Sequence, residues 1–435
     1  MTWEGKDRPS TAGPVVLWLL TQNVYPEPLF QENSILEAPD YEAAGIIPGN
    51  RYYQGDNLAI LQAWSDLQPN LPIKLIYIDP PYMSQTRYYS LKDNSQPPAF
   101  EDRWRPENYL DMLYPRLRLM REVLDDAGSI FVHVDWHVSH YVHLLLDEIF
   151  GAENFINEIA WCYSGGSNSR RHLQRKHDLI YWYGRSSAYT FNPQHRPYTS
   201  GTMTRGLTAS KGDKYRLAAE GARLQDWWTD INKILSPTAR ENCKYPTQKP
   251  RLLLDRIIRM ASNPGDLVAD FFSGSGTTAE VCNQLGRPWI LCDSSLLALQ
   301  TAVSRLTRND SPPFSIFAPL QEQRLASGQL TLKAPIVQIK DDGHVWVSLG
   351  IAAYRPAQPA PEPAVDDTSS LIEFWEIDPD YDGTAFNSRC QLFRSRKGEL
   401  PLNVLLSLPR RGSYKIAVQV HDIFAGRQTQ VLEFQ

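Results

Sequence analysis

Four consecutive residues, Asp79-Pro80-Pro81-Tyr82, carry the most specific chemistry in the sequence. They follow the apolar run Leu75-Ile76-Tyr77-Ile78. Proline cannot continue a central strand, so the strand ends there and presents Asp79 at its carboxyl end. Two successive prolines fix the backbone, so the Asp79 carboxylate and the Pro80 carbonyl can converge on one point. Two acceptors on one point suit an exocyclic NH2 group, which has two N–H donors. The lone pair of such an amine is delocalised into its ring. Accepting both hydrogens localises the lone pair and aims it at an electrophile, by preorganisation more than by base catalysis. Tyr82 adds a π face on which a base taken out of a duplex would stack.

A second constellation runs from Asp270 to Thr278, Asp-Phe-Phe-Ser-Gly-Ser-Gly-Thr-Thr, between a strand and a helix. Gly274 and Gly276 allow close approach of the backbone to a ligand, and the following helix offers unpaired N–H groups. Asp293 ends the next strand, a position suited to bonding ribose hydroxyls. Gly-Ser-Gly alone is also what a sterically tight strand–helix turn requires. The sequence contains no GxxxxGK[ST], which disfavours a phosphate-cradling NTPase. His133, His137, His140 and His143 are close in sequence, but no Cys or paired Glu completes a metal site, so packing and helix-end roles are expected.

The elements that must position these residues alternate. Strands are predicted at 51–54, 75–78, 128–134, 156–163, 178–184, 267–270 and 289–293. Helices are predicted from 55–57 through Leu67, and over 108–125, 138–150, 252–261, 277–285 and 295–307. Over 108–125 the period is helical: Leu110, Leu113, Leu117, Met120 and Leu124. Alternation of this kind indicates a parallel, doubly wound α/β sheet, and the two halves together make one of seven strands. Residues 1–50 are Pro-rich and aperiodic, an arm. Between the halves, 164–245 is polar and weakly periodic, as an inserted module would be. After Pro312 the pattern turns to β alternation at 329–350 and 371–434, with hairpin turns expected at Asp341-Asp342-Gly343 and Ala425-Gly426. The expected division is therefore 1–50, 51–163, 164–245, 246–312 and a β-rich domain over 313–435.

The 435 residues are 42% hydrophobic and 21% charged, enough to bury a sizeable core. Five cysteines without a CxxC pair exclude a disulfide framework and a Cys-rich zinc site, and favour a reducing compartment. The run Val15–Leu20 is too short for a signal-peptide core or a membrane span, so a soluble, cytoplasmic protein is expected. The net charge of −5 argues against a nucleic-acid partner only if it is evenly spread. It is not: 161–216 holds ten Lys and Arg against Asp178 and Asp213, a local +8 interleaved with nine aromatic residues, which leaves −13 elsewhere. Phosphate neutralisation with stacking is what a DNA-facing surface needs, and Arg170, Arg171, Arg175 and Lys176 are its candidates.

Taken with their order, these residues resemble the S-adenosylmethionine-dependent amino-methyltransferases of DNA, in the β class whose catalytic DPPY motif precedes its FxGxG cofactor motif. Residues 79–82 match the first and 270–278 the second. Pro246-Thr247-Gln248-Lys249-Pro250 resembles the family's PTxKP helix entry beside the cofactor, and Gly55-Asp56 its GD near the cofactor adenine. Asp147–Gly151, Asn154–Trp161 and Arg175–Asp178 also read like this family. The likeness spans about 50–310. Phe271 stands where proline is usual and Tyr245 where histidine is usual.

The resemblance implies a Rossmann-like methyltransferase sheet of permuted motif order, with a basic target-recognition insert. It implies site-specific methyl transfer to adenine N6 of double-stranded DNA by base flipping, since DPPY is more typical of adenine and SPPY of cytosine. Asp79, Pro80, Pro81 and Tyr82 would then be catalytic. Asp56, Thr247, Lys249, Asp270, Phe272, Gly274, Ser275, Gly276, Thr277 and Asp293 would hold the cofactor. Cytosine-N4 methylation, a DNA-binding specificity subunit without turnover, and RNA as substrate are the alternatives. A cognate restriction subunit and a homodimer are left open as partners, and a membrane is not expected.

Overall fold

The computed structural model describes residues 2–3, 6, 18–25, 36–37, 49–67, 72–89, 100–165, 170–206, 217–236, 238–309, 311–319, 328–341, 343–357, 368–394 and 399–435. Its central sheet is built from β1 (Trp18–Val24), β2 (Asn50–Gln54), β3 (Ile73–Ile78), β4 (Leu124–Val134), β5 (Phe155–Cys162), β6 (His177–Gly184), β7 (Trp227–Trp228), β8 (Leu267–Asp270), β9 (Trp289–Asp293), β10 (Phe314–Pro319) and β11 (Phe386–Ser388). The order across the sheet is β7-β5-β6-β4-β3-β8-β9-β2-β10-β1-β11.

The seven strands expected from the sequence, β2 to β6 with β8 and β9, lie side by side in this sheet, but the sheet does not stop at seven. It has eleven strands. β7 comes from the stretch read as an insert, β1 from the stretch read as an arm, and β10 and β11 from beyond Pro312. The short β7 and β11 carry too few residues for a period to show. In β1 the polar Gln22 and Asn23 interrupt the alternation; Gln22 is nonetheless buried, paired to a carboxylate of the C-terminal region.

The expectation of a parallel sheet also needs a correction. β4, β3, β8, β9, β2 and β10 run parallel, whereas β6 is antiparallel to both β4 and β5. The connection from β5 to β6 is only fourteen residues long and shows no helix among its described residues, 163–165 and 170–176, as suits antiparallel neighbours.

The parallel strands alternate faces with period two. Leu75 and Tyr77 point into one core, with Leu253, Ile257, Val268, Leu291 and Leu299. Ile76 and Ile78 point into the other, with Leu113, Leu117, Ile130, Leu145 and Ala269. Helices α1 (Asn57–Leu67), α2 (Pro106–Val123) and α3 (Ser139–Phe150) cover the second face. Helices α4 (Arg251–Ala261), α5 (Thr277–Leu285) and α6 (Leu296–Arg308) cover the first. In α4 the buried Leu253, Leu254, Ile257, Ile258 and Ala261 form the apolar stripe of a one-faced helix.

The C-terminal region has a five-stranded and a four-stranded sheet, built around Val347, Leu349, Trp375, Leu406 and Val418. Leu36–Glu37, in the stretch read as an arm, pairs with Asn403–Pro409. The strand Ile372–Asp378 sends Trp375 and Ile377 into this core and Phe374 toward the central one. Its fully buried Glu376 accepts from Gln22 (2.9 Å), Gln419 (2.9 Å) and Ser388 (2.5 Å) and pairs with His421. A hairpin joins Tyr414–Asp422 to Arg427–Phe434 through Ala425-Gly426, as expected. Of the other expected turn, Asp342 lies outside the described residues.

Candidate active site

Parallel strands deliver their carboxyl ends to one edge, and the register makes this concrete. Ile76 is paired with Ala269, Asp270 with Leu291, and Asp293 with Gln54. Residues distant in sequence, Asp56, Asp79, Asp270 and Asp293, therefore arrive together beyond the ends of β2, β3, β8 and β9. A cavity of about 600 Å³ opens there. Asp79, Pro80, Pro81 and Tyr82 line it, as do Asp56, Thr247, Lys249, Asp270, Phe272, Gly274, Ser275, Thr277 and Asp293. Gly276 does not. It is the left-handed residue before α5 (φ 72°), and a Cβ there would come within 2.9 Å of the Ala302 Cβ, so glycine serves the packing of α5 on α6.

On the β8 side the loop is braced from beneath. Asp270 accepts from the Thr278 hydroxyl (2.5 Å) and the Phe272 N–H (3.1 Å), and burial pushes its carboxyl up to about 7. Asp293 accepts from the Gly274 N–H (2.8 Å) and the Ser295 N–H (2.9 Å), leaving lone pairs for a ligand. Asp56, at the rim, accepts from Arg116 (2.6 Å), whose guanidinium also binds Asn57, and Asn57 in turn donates to the Phe271 carbonyl. Tyr245, where histidine is usual in the resembled family, lies against Gly274, where a Cβ would meet its ring at 3.1 Å.

The network below this loop leaves no spacing signal in the sequence. Arg305, almost fully buried on α6, donates to the Ser275 carbonyl (3.3 Å), the Ser275 hydroxyl (3.1 Å) and the Thr277 hydroxyl (2.7 Å). It is ion-paired with buried Glu280, which Arg251 meets from the other side at 3.0 Å.

The turn after β3 is held differently. Buried Asp102 accepts from the N–H groups of Tyr82 (3.1 Å), Met83 (2.8 Å) and Ser84 (2.9 Å) and from the Ser84 hydroxyl (2.6 Å). Met83 (φ 57°) and Gln85 (φ 59°) are left-handed without being glycine, a conformation that these bonds sustain. Asp79 is bonded at one oxygen by the Tyr82 hydroxyl and at the other by the Lys249 ammonium. Burial raises the Tyr82 hydroxyl well above its ordinary value, so it stays a donor. The sequence points to the ring of Tyr82 and says nothing of its hydroxyl. Here its hydroxyl engages the carboxylate, while Lys249 stands 5.4 Å from the ring centroid. Asp102 escaped the sequence reading because an acid twenty residues away carries no spacing signal.

Behind the turn, the fully buried His133 shares a proton with Tyr77 (2.9 Å) at Nδ1 and faces Asp178 (3.3 Å) at Nε2; Asp178 also accepts from Tyr163 (2.8 Å). The His133 bond helps hold the Asp178 carboxyl down at about 2 despite burial. His137 binds Asp135 at 2.7 Å, His143 lies over Tyr181, and His140 over Tyr141.

Arg170, Arg171 and Arg175 are exposed and Lys176 half-buried. The guanidinium of Arg175 lies 3.7 Å from the ring centroid of Trp136, and the Lys233 ammonium lies 3.6 Å from that of Tyr163. The basic stretch does not form one face, however. Arg185 turns to the carbonyls of Glu122 (3.0 Å) and Leu124, at the opposite end of the sheet. Lys211, Asp213, Lys214 and Arg216, and the side chain of Arg205, lie outside the described residues.

A doubly wound sheet whose carboxyl edge joins a glycine-rich, carboxylate-flanked cavity to a rigid Asp-Pro-Pro-Tyr turn is the architecture of a nucleoside-cofactor transferase. Residues 73–304, more than half of the chain, match the DNA methylase family, and the chain belongs to it. Among curated relatives it is similar to the type II methyltransferase M.EcaI of Enterobacter cloacae, 28% identical over 331 residues, which cover 62% of this chain and 72% of the relative. It is also 30% identical over 264 residues to the type II methyltransferase M.BamHI of Bacillus amyloliquefaciens, covering 59% of this chain and 57% of that one. Among solved structures, an M1.HpyAVI–SAM complex aligns with 59% of this chain and 98% of its own, at 22% identity and a TM-score of 0.41. Among the described residues, no helix is long and apolar enough to cross a membrane.

Proposed function

We propose that the chain transfers the methyl group of S-adenosylmethionine to the exocyclic N6 of adenine in double-stranded DNA, at a specific site and on a flipped base. The observation that carries it is the convergence of Asp79–Tyr82 and the 270–278 loop on one cavity. Membership of the DNA methylase family supports the reaction class. The cavity suits the cofactor: Asp293 and Asp56 keep acceptor capacity for hydroxyl and amino groups, Phe272 offers a ring, and the Gly274 backbone allows close approach. Thr247, Lys249, Ser275 and Thr277 complete its wall. When bound, the cofactor supplies a methyl group on a cationic sulfur.

The chain's own part is to fix the acceptor of that methyl group. Asp79 and the Pro80 carbonyl accept the two amine hydrogens, so the nitrogen lone pair points one way only; when the nitrogen takes the methyl group, releasing the neutral thioether, it gives up one of these hydrogens as a proton along its bond to Asp79. Asp102 holds the turn that fixes them, and Tyr82 stacks on the base once its hydroxyl has left Asp79. Arg170, Arg171, Arg175 and Lys176 take DNA phosphates.

Plasmid DNA incubated with the chain and methyl-labelled cofactor, then digested to nucleosides, tests this. Label in N6-methyl-2′-deoxyadenosine is expected. Label in N4-methyl-2′-deoxycytidine would move the reaction to cytosine, and no label would make the chain a binder without turnover.

A further inference from the structure

We propose that Trp136, with Arg175 stacked on it, is the element that parts the target base pair, its indole entering the duplex where the target base leaves. This rests on the base-methylating function proposed above.

Position comes first. Ile78 is paired with Val132 across β3 and β4, so Asp79 is level with His133, and Trp136 stands three residues further out at the same edge. A ring there belongs to the same carboxyl edge of the sheet as Asp79.

Exposure comes second. Trp161, Trp228, Trp289 and Trp375 are fully buried, whereas Trp136 is 43% exposed and Trp227, on the edge strand β7, 51%. An amphipathic ring at the surface offers contact area to a partner. It is held there actively. Asp135 accepts from the His137 N–H (2.8 Å) and the His137 ring (2.7 Å), a turn that ends β4 and leaves the intervening residue projecting.

Chemistry comes third. The His137 ring is 3.6 Å from the indole by centroids, and the Arg175 guanidinium is 3.7 Å from it. Planar groups packed in this way, the rings tilted by 31° and a guanidinium over the indole, fit a nucleobase and its phosphate better than an apolar protein surface. Leu173, on the Arg175 segment and 91% exposed, is flanked by Arg171 and Arg175, and apolar side chains beside basic ones are how proteins wedge base steps apart. Moving a base out of a duplex leaves a gap in the stack, and an indole fills it.

The test begins with plasmid DNA methylated by the unaltered chain, to map its site. Two duplexes carrying that site are then compared: one fully paired, the other with an abasic residue opposite the target, where no pair has to be broken. Trp136→Ala is expected to lower kcat/KM at least about ten-fold on the paired duplex, with less than two-fold loss on the abasic one. Trp136→Phe is expected to stay within three-fold on both, and both variants to keep cofactor affinity. An equal fall on the two duplexes, or no fall on either, would overturn the proposal while leaving the transferase function intact. Failure of the unaltered chain to methylate any plasmid site would overturn that function first and the wedge with it.

Discussion

The two walls of the cavity are built in opposite ways. The 270–278 loop is braced from within its own motif and from the adjacent strand: Thr278 and Phe272 hold Asp270, Gly274 is held by Asp293, and the buried Arg305–Glu280 pair lies beneath. The 79–85 turn is braced from far away, by Asp102 and by Lys249, and passes through two strained non-glycine residues. One wall is part of the core. The other is a projection pinned to it. A cofactor wall fixed by the core should fail together with the fold, whereas a pinned turn should lose rate and leave the fold and cofactor affinity alone.

The sharpest way to break this contrast is at Arg305. Arg305→Met leaves Glu280 buried with only Arg251 and Asn309 and removes three bonds to the loop. Truncating one partner of a buried pair costs about 3–5 kcal/mol. Chemical denaturation should show that loss, and calorimetric titration should show weaker cofactor binding. A variant that lost activity but neither stability nor affinity would mean that the loop does not depend on the core.

Asp79→Ala should do the reverse. Losing one positioned hydrogen-bonding group of this kind costs on the order of 100-fold or more in kcat. Cofactor affinity should stay within a few-fold, because Asp79 makes no hydrogen bond to the 270–278 loop and meets the cofactor wall only through the Lys249 ammonium. Label incorporation at saturating cofactor measures the first and titration the second. Asp102→Asn should be milder, about ten-fold in kcat from misplacement of the reacting groups. Its amide would set an NH2 against donors that now share one carboxylate, and the turn would lose order without losing its residues. Equal losses in kcat and cofactor affinity would show that the two walls are one unit.

The same contrast explains what could be read in advance. Strands β3, β8 and β9 are short apolar runs ending in Asp79, Asp270 and Asp293, and runs buried on both faces show plainly in sequence. Motif residues had only to follow those ends to reach one edge. Asp102 and Arg305 leave no such trace, because what they do is set by tertiary distance: one by a turn folding back, the other by one helix face meeting another. Gly276 was legible as special, but the reason lay in the approach of α6 to α5. Arg185 counted toward a basic face by sequence alone, yet strand direction carried it to the far end of the sheet. Trp228 and the buried Gln22–Glu376 link belong to elements too short or too polar to declare themselves.

The smallest effect concerns Asp270, and it separates the walls by pH. Burial pushes this carboxyl from 3.8 up to about 7, against the bonds from Thr278 and the Phe272 N–H. In the unfolded chain it ionises near the lower value. Between the two, the folded protein holds a proton that the unfolded chain has released, so stability falls as pH rises from about 4 through about 7. Asp270→Asn stays neutral at every pH and keeps an oxygen for the Phe272 N–H. Its Tm advantage over the unaltered chain should be at least about 2 °C larger at pH 8, where the buried carboxylate is charged, than at pH 5. Scanning calorimetry at the two pH values, without cofactor, measures the gap. A gap that stayed flat, or closed toward pH 8, would mean that the loop solvates its carboxylate as well as water does, and that the cofactor wall is less a part of the core than its burial implies.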